Sequence, residues 1–275
     1  MNDKENINLI QSAGNVRKRI LDMAYKCGKP AHIGGSLSMV EMLIVLYKNV
    51  MKYDINDMTW SERDRFILSK GHCALGLYAV LVECGIMNET MGELYLVNGS
   101  PLGAHPVMNI PFGIESSTGS LGQGISTAVG SALAAKINGR AYNVYTLIGN
   151  GESNEGSVWE AAMFATQHKL DNLTIILDNN RLQSDGDSED ILDGVTLKER
   201  WESFGFYVLD VDGHDVDSIL TSFHKKEELK PKIIIANTVK GKGVSFMENN
   251  NVWHHNRLTE DLYKKALEEI RGEKE

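Results

Sequence analysis

Two short stretches carry residues whose types and spacing suggest cofactor chemistry. The first is "LIGNGE", Leu147 to Glu152. It reads as an apolar strand running into a glycine turn that opens a helix. Such a turn frees backbone N–H groups near a helix start and suits a phosphate. The second lies at the end of the following apolar stretch, "NLTIILDNNRL", which brings Asn180 to its end. Asn150 and Asn180 at neighbouring strand ends would offer amide oxygens at one edge of a sheet. Hard divalent cations take oxygen ligands and often share them with a phosphate. A lone GxG turn is weak evidence, because many strand-to-helix loops contain one. The pairing with Asn180 makes it a candidate cation and phosphate site. Asn150 itself stands where a metal-binding turn of this kind would carry Asp.

The elements that would position these residues alternate along the chain. "RFILS", "NVYTLIG", "NLTIILDN", "YVLDVDG" and "KIIIANTV" are apolar, β-branched strand candidates. Between them lie helical patterns such as "GHCALGLYAVLVECG", "SVWEAAMFATQHKL" and "TLKERWESFG". Before them come "INLIQSAGNVRKRILDMAYKCG", with Gly28 suited to its C-cap, and "SMVEMLIVLYKNVM", where Ser38 and Glu41 have capping-box spacing. Buried strands alternating with helices predict an α/β fold, a doubly wound, mainly parallel sheet with helices on both faces. Ligands of such sheets sit beyond the carboxyl ends of the strands, where these motifs fall. The segment "STGSLGQGISTAVGSALAAK" is unusual, with small residues at Gly122, Gly124, Ala128, Gly130 and Ala132. Glycine inside a helix costs about 1 kcal/mol relative to alanine. Close approach to a ligand or another helix would compensate, and so would dense packing alone.

Composition narrows the class. The 275 residues show no linker, repeat or domain boundary, so residues 1–275 are expected to form one domain. A net charge of -9 argues against nucleic acid as partner. No apolar run could cross a membrane, and "MNDKENINLI" lacks the apolar core of a signal peptide. Cys27, Cys73 and Cys84 form no CxxC pair and read as reduced thiols, so a cytoplasmic location is expected. Taken singly, His168 and His224 read as exposed helix residues, His214 as a turn or cap residue, and His255 as a bystander to His254. The charged tail "EEIRGEKE" reads as a solvated helix end.

The segment from Gly149 to Gly186 resembles the cofactor-binding segment of transketolases. "DRFILSKGH", "GIESSTGSLGQG" and "TVKGKGVSFMENNNVWH" are similar to further transketolase segments, in the same order. The resemblance covers roughly Leu9 to His255. It implies a thiamine diphosphate-binding fold of the diphosphate (PP) type, with thiamine diphosphate and magnesium, or another divalent cation such as calcium or manganese, as cofactors. Residue by residue, it implies Asn150, Asn180 and the Leu182 carbonyl as metal ligands. It places Gly151 beside the diphosphate, and Gly119, Ser120 and Leu121 along the cofactor. Lys240 and His254 match basic residues facing the diphosphate and the reacting centre. His32, His72 and His105 match histidines lining the substrate channel and diphosphate, so that His32, His105 and His254 would be catalytic and His72 cofactor-binding. The family's usual GHP around the first histidine reads "AHIG" here.

The implied activity is transfer of a two-carbon ketol unit from a ketose, as a phosphate or related sugar, to an aldose phosphate. Proton movements on sugar hydroxyls near neutral pH suit histidine. The resemblance covers the diphosphate-binding half alone. The family's pyrimidine-binding domain, which supplies the glutamate that activates the cofactor ring, and its C-terminal domain are expected from a separate subunit, in an α2β2 assembly. Two alternatives remain open. One is an inactive paralogue that regulates the partner subunit. The other is a different thiamine enzyme subunit, resembling a deoxyxylulose-phosphate synthase or the α subunit of a 2-oxoacid dehydrogenase.

Overall fold

The computed structural model describes residues 3–192 and 196–272. Strands β1 (Arg65–Leu68), β2 (Val144–Gly149), β3 (Leu173–Asn179), β4 (Tyr207–Asp212) and β5 (Lys232–Asn237) form one sheet in the order β1-β2-β3-β5-β4. Every neighbouring pair is parallel. The five strands are the five apolar stretches expected from sequence. The helices are α1 (Asp3–Lys26), α2 (Gly34–Leu37), α3 (Val40–Val45), α4 (Ala74–Glu83), α5 (Glu89–Gly92), α6 (Gln123–Ile137), α7 (Gly156–Gln167), α8 (Ser188–Ile191), α9 (Leu197–Ser203), α10 (Val216–His224) and α11 (Glu260–Gly272). Among the described residues no helix is long and apolar enough to cross a membrane.

The sheet divides the apolar interior in two, because side chains along a strand alternate between faces. Tyr145, Leu147, Ile176 and Ile234 join one cluster with residues of α1, α3, α4, α10 and α11. Val144, Ile148, Ile175, Leu177, Ile233 and Ile235 join the other with α6, α7 and Trp201 of α9. Both faces are covered, as near-continuous apolar strands require. The edge strand β4 is only half-buried.

Local signals decide some element ends. Gly28 adopts φ +62° just past α1 and donates its N–H to the Tyr25 carbonyl, the expected C-cap. Gly85 plays the same part after α4, at φ +73°. The expected capping box of Ser38 and Glu41 does not form. Ser38 follows α2, and its hydroxyl donates to Asp178 at 2.6 Å. Glu41 turns to Arg17 and His214. Both side chains have buried charged partners from distant segments, and these outweigh a local cap. The tail, too, is more than a solvated helix end. α11 reaches Gly272, Ile270 is buried, and Glu269 accepts hydrogen bonds from the Ser245 N–H and hydroxyl. Residues 273–275 of that stretch lie outside the described residues.

The small-residue helix α6 is answered position by position. A Cβ on Gly124 would stand 2.6 Å from the Ser69 Cα, so α6 meets the end of β1 backbone to backbone. Gly122 adopts φ +76°, and a Cβ there would stand 2.3 Å from the Ser157 hydroxyl at the start of α7. Gly130 has nothing within 4 Å. Dense packing explains the first two positions and leaves the third unexplained.

Candidate functional site

All five strand ends deliver residues to one edge of the sheet. β1 leads to Lys70 and His72, β2 to Asn150, Gly151 and Glu152, and β3 to Asn180 and Leu182. β5 leads to Lys240, and β4 to His214. An antiparallel bridge between Ala31 and Asn256, with N–H to O distances of 3.0 and 3.1 Å, sets His32 beside His254 and His255. A cavity of about 570 Å³ opens at this edge. Its wall includes His32, His72, Gly119, Leu121, Asn150, Gly151, Asn180, Leu182, Lys240 and His254. Of the residues implied by the resemblance, Ser120 and His105 do not line it. Ser120 is exposed. His105 stands at the rim, its ring 6.1 Å from that of His32 and against Gly119. A second cavity of about 300 Å³ shares Asn150, Asn154 and Leu192 but gathers none of the histidines or Lys240.

The histidines form one group. The His32 ring lies 5.2 Å from His72, 5.4 Å from His254 and 4.4 Å from His255, and His72 stacks on His254 at 5.4 Å. His255, expected as a bystander, is thus the nearest of these rings to His32. Burial, reinforced by His255, His254, His105 and Lys240, pushes His32 down to about 3. Burial and then Lys240 push His254 down to about 4. Burial and Lys70 hold His72 well below the usual histidine value. These rings are neutral near pH 7 and can accept protons. The Lys240 amine contacts His254 Nδ1 at 2.9 Å and donates to Asn251 Oδ1 at 3.2 Å, and burial lowers it to about 8.

The glycine turn differs from a plain strand-to-helix junction. A short 3-10 turn, Glu152–Asn154, precedes α7. The Gly149 N–H donates to Glu152 at 3.1 Å, and the Asn150 N–H to the Asp178 carbonyl at 3.2 Å. These two groups therefore already have partners and are not left for a phosphate. Glu152 is buried. Its carboxylate also accepts from the Ser69 hydroxyl at 2.5 Å and the Gly122 N–H at 2.9 Å, tying together the ends of β1 and β2 and the start of α6. Burial raises its pKa in spite of these donors. It points into this bracket, away from a ligand role.

Asp178 is a second hub that sequence reasoning missed. It is fully buried and contacts the Lys70 amine, the Ser38 hydroxyl, the Thr238 hydroxyl and the Asn180 amide. Burial opposes both charges, but Lys70 and Asp178 outweigh it for each other, raising the lysine and lowering the carboxylate. The Asn180 Nδ2 donates to Asp178 at 3.0 Å and its Oδ1 accepts from the Leu182 N–H at 3.1 Å, which fixes the amide orientation. Asn150 donates its Nδ2 to the Ser188 hydroxyl, which sets that amide oxygen as well. The only sequence signal for Asp178 was a charge closing an otherwise apolar strand.

Among the described residues no group of three or more His, Cys, Asp or Glu could hold a metal alone. The amide and carbonyl oxygens here suit a hard cation that also takes phosphate oxygens. The residues present fit a phosphorylated cofactor with a divalent cation. A buried cationic amine faces the cavity, and His32 Nδ1 and Gln183 Nε2 are buried there without a hydrogen-bond partner. Buried polar atoms without partners are uncommon and call for an explanation. His168 and His224 are exposed at the ends of α7 and α10, as expected.

Comparison with known proteins agrees with this geometry. The family model described as "Transketolase, thiamine diphosphate binding domain" matches residues 11–272. One of the subunits of the apulose-4-phosphate transketolase of Phocaeicola vulgatus is 42% identical over 267 residues, 95% of this chain and 92% of that protein. The 6-deoxy-6-sulfo-D-fructose transketolase subunit SqwG of a Clostridium species is 41% identical over 272 residues, 98% of each. The solved transketolase of Campylobacter jejuni superimposes with a TM-score of 0.90 at 32% identity, covering 98% of this chain and 43% of that one. The chain thus spans about two-fifths of the length of that solved transketolase.

Proposed function

Because this chain belongs to the transketolase family, as a thiamine diphosphate-binding domain, we propose that it is the diphosphate-binding subunit of a two-subunit transketolase. It moves a two-carbon ketol unit from a ketose to an aldose phosphate, jointly with a subunit carrying the pyrimidine-binding and C-terminal domains, in an α2β2 assembly. The observation that carries this reading is the convergence of His32, His72, His254 and Lys240 on one cavity, beside Asn150 and Asn180. Two relatives of nearly the same length are named as transketolase subunits, which supports the division of labour. Apolar side chains left exposed near site residues, Val107, Met108, Ile191, Leu192 and Val252, fit a surface covered by that partner. Residues 1–275 act as one domain, in the cytoplasm, where the free thiols of Cys27, Cys73 and Cys84 persist.

Thiamine diphosphate, when bound, supplies the carbanion chemistry. The Asn150 and Asn180 amide oxygens and the Leu182 carbonyl would hold magnesium, or calcium or manganese. Gly151, Lys240 and His72 would hold the diphosphate, and Gly119 and Leu121, with Ser120 beyond the cavity wall, would flank the rest of the cofactor. His32 and His254, neutral in the free site, accept protons from sugar hydroxyls, and His105 guides the substrate at the rim. Desolvation makes these contacts stronger than they would be in water.

The test is reconstitution. The full chain alone, given thiamine diphosphate and magnesium, should cleave no ketose donor. With its partner subunit it should turn over, and a screen including pentose, branched and sulfonated sugar donors would identify the substrate. Robust turnover by the chain alone would refute the split assignment. A complex in which this chain alters the partner's activity without binding cofactor would favour a regulatory paralogue.

A further inference from the structure

We infer that the buried Arg17 and Glu41 and the partly buried His214 form a clamp whose task is to hold the 239–242 turn and so aim Lys240 into the cavity; this rests on the cofactor reading above. None of the three lines the cavity. They come from α1, α3 and the loop after β4. The Arg17 guanidinium pairs with one Glu41 oxygen, and the other lies 3.1 Å from His214 Nδ1. The Val239 N–H donates to His214 Nε2 at 2.9 Å. Nε2 is therefore the accepting nitrogen, which leaves Nδ1–H to donate to Glu41. On the other flank, Arg17 Nε donates to the Lys242 carbonyl at 3.2 Å. One carboxylate thus organises two side chains that grip the backbone on both sides of Lys240 and Gly241.

The turn needs such a grip. Gly241 adopts φ +84°, and a Cβ there would stand 2.3 Å from the Met247 carbonyl. Its N–H donates to the Gly34 carbonyl at 3.0 Å, and the Lys240 carbonyl accepts from Asn249 at 2.9 Å. Lys240 itself is buried, so its amine can reach the cavity only if the backbone beneath it is placed within a fraction of an ångström. A buried ion pair is a poor source of stability relative to apolar packing, and its best-attested use is to fix one arrangement. His214 also satisfies the sequence expectation of a turn residue, since its N–H donates to Asp212 at 2.8 Å; the clamp is the additional work of its ring.

The test uses His214→Leu and His214→Gln in the full chain. Gln can accept from Val239 while presenting an amide toward Glu41. Hydrogen exchange at the Val239 amide, read without cofactor, should quicken at least tenfold in the Leu variant and stay near the parent rate in the Gln variant. Exchange at Ile233–Ile235 of β5 should not change, which separates the clamp from general unfolding. With magnesium and the partner subunit, the Leu variant should bind thiamine diphosphate about tenfold more weakly, with most of the affinity kept by Gln. Unchanged Val239 exchange in the Leu variant would overturn the clamp. Quickened exchange with unaltered cofactor affinity would overturn its role in aiming Lys240. The exchange measurement needs no cofactor, whereas failure of the unsubstituted complex to bind thiamine diphosphate would count against the functional reading itself.

Discussion

Replacing Lys240 with methionine should make the cofactor-free chain slightly more stable while weakening cofactor binding. Burial lowers this lysine from 10.5 to about 8. A difference of that size corresponds to about 3 kcal/mol working against the charged amine in the folded state. Methionine removes the charge and keeps an unbranched side chain of similar reach. It also removes the contacts to His254 at 2.9 Å and Asn251 at 3.2 Å, at about 1 kcal/mol each. The balance at pH 7 is a gain of about 1 kcal/mol, or roughly 2 °C in Tm for a chain of this size. The sign can be checked against pH. Below about 8 both folded and unfolded chains carry the proton, so the full penalty is present. Between about 8 and 10.5 the unfolded chain binds a proton that the folded chain has released, so the stability of the unsubstituted chain climbs with pH. The advantage of Lys240→Met should fade across that window. Thiamine diphosphate affinity in the assembled enzyme should fall by about 10- to 100-fold, the loss of a charge-assisted contact. Calorimetric melting of both chains from pH 7 to 10, with cofactor titrations, would measure each part. A variant that melts several degrees lower at pH 7 yet binds cofactor normally would show that Lys240 is a structural cation.

His32→Ala and His254→Ala should each reduce turnover of the assembled enzyme by about 10²–10⁴-fold with little change in Tm; near-normal kinetics in both would refute their assignment. NMR of the cofactor-free chain at pH 5 should find both rings neutral, since burial holds them at about 3 and about 4. Asn150→Asp should let cofactor binding saturate at lower magnesium, because the carboxylate adds a charge that the amide lacks; equal saturation would refute that electrostatic argument. Gly124→Ala should destabilise the fold by about 1–3 kcal/mol through its clash with Ser69, whereas Gly130→Ala, with open space around it, should stabilise by up to about 1 kcal/mol. Chemical denaturation that ranks the two glycines the other way would contradict the packing of α6.

Four of the five strands were legible because each is a buried apolar run, and burial on both faces leaves that pattern in the residues themselves; the half-buried edge strand β4 keeps only an alternation of apolar and acidic residues. The GNG turn and Asn180 were legible for a different reason: they sit in loops at strand ends, where ligands of such sheets bind, whereas the histidines and Lys240 were singled out only by their resemblance to transketolase segments. The residues that hold the site in place were not legible. Asp178, Lys70 and Glu152 are charges inside the core, and nothing in their own segments says what they meet. Asp178 draws Ser38 from the loop after α2, Lys70 from the end of β1 and Thr238 from the end of β5. His255 was read as a bystander because the bridge that swings it against His32 joins residues from opposite ends of the chain.

Ser38 and Glu41 show why local rules fail here in particular. Their spacing is that of a capping box, and such a cap contributes about 1 kcal/mol. Inside this core the alternatives carry more weight. Left without Ser38, Asp178 would lose one of the donors that lower its carboxylate; left without Glu41, Arg17 would be a buried cation with no counter-charge. An unpaired buried charge costs several kcal/mol, so the long-range partner wins over the cap. The same comparison explains where sequence reading is weakest in this fold. It fails at polar residues in the layer between the apolar core and the cavity, where each side chain can choose between a local hydrogen bond and a buried charge. That layer is where Arg17, Glu41 and His214 grip the Lys240 turn, and where Asp178 orients Asn180.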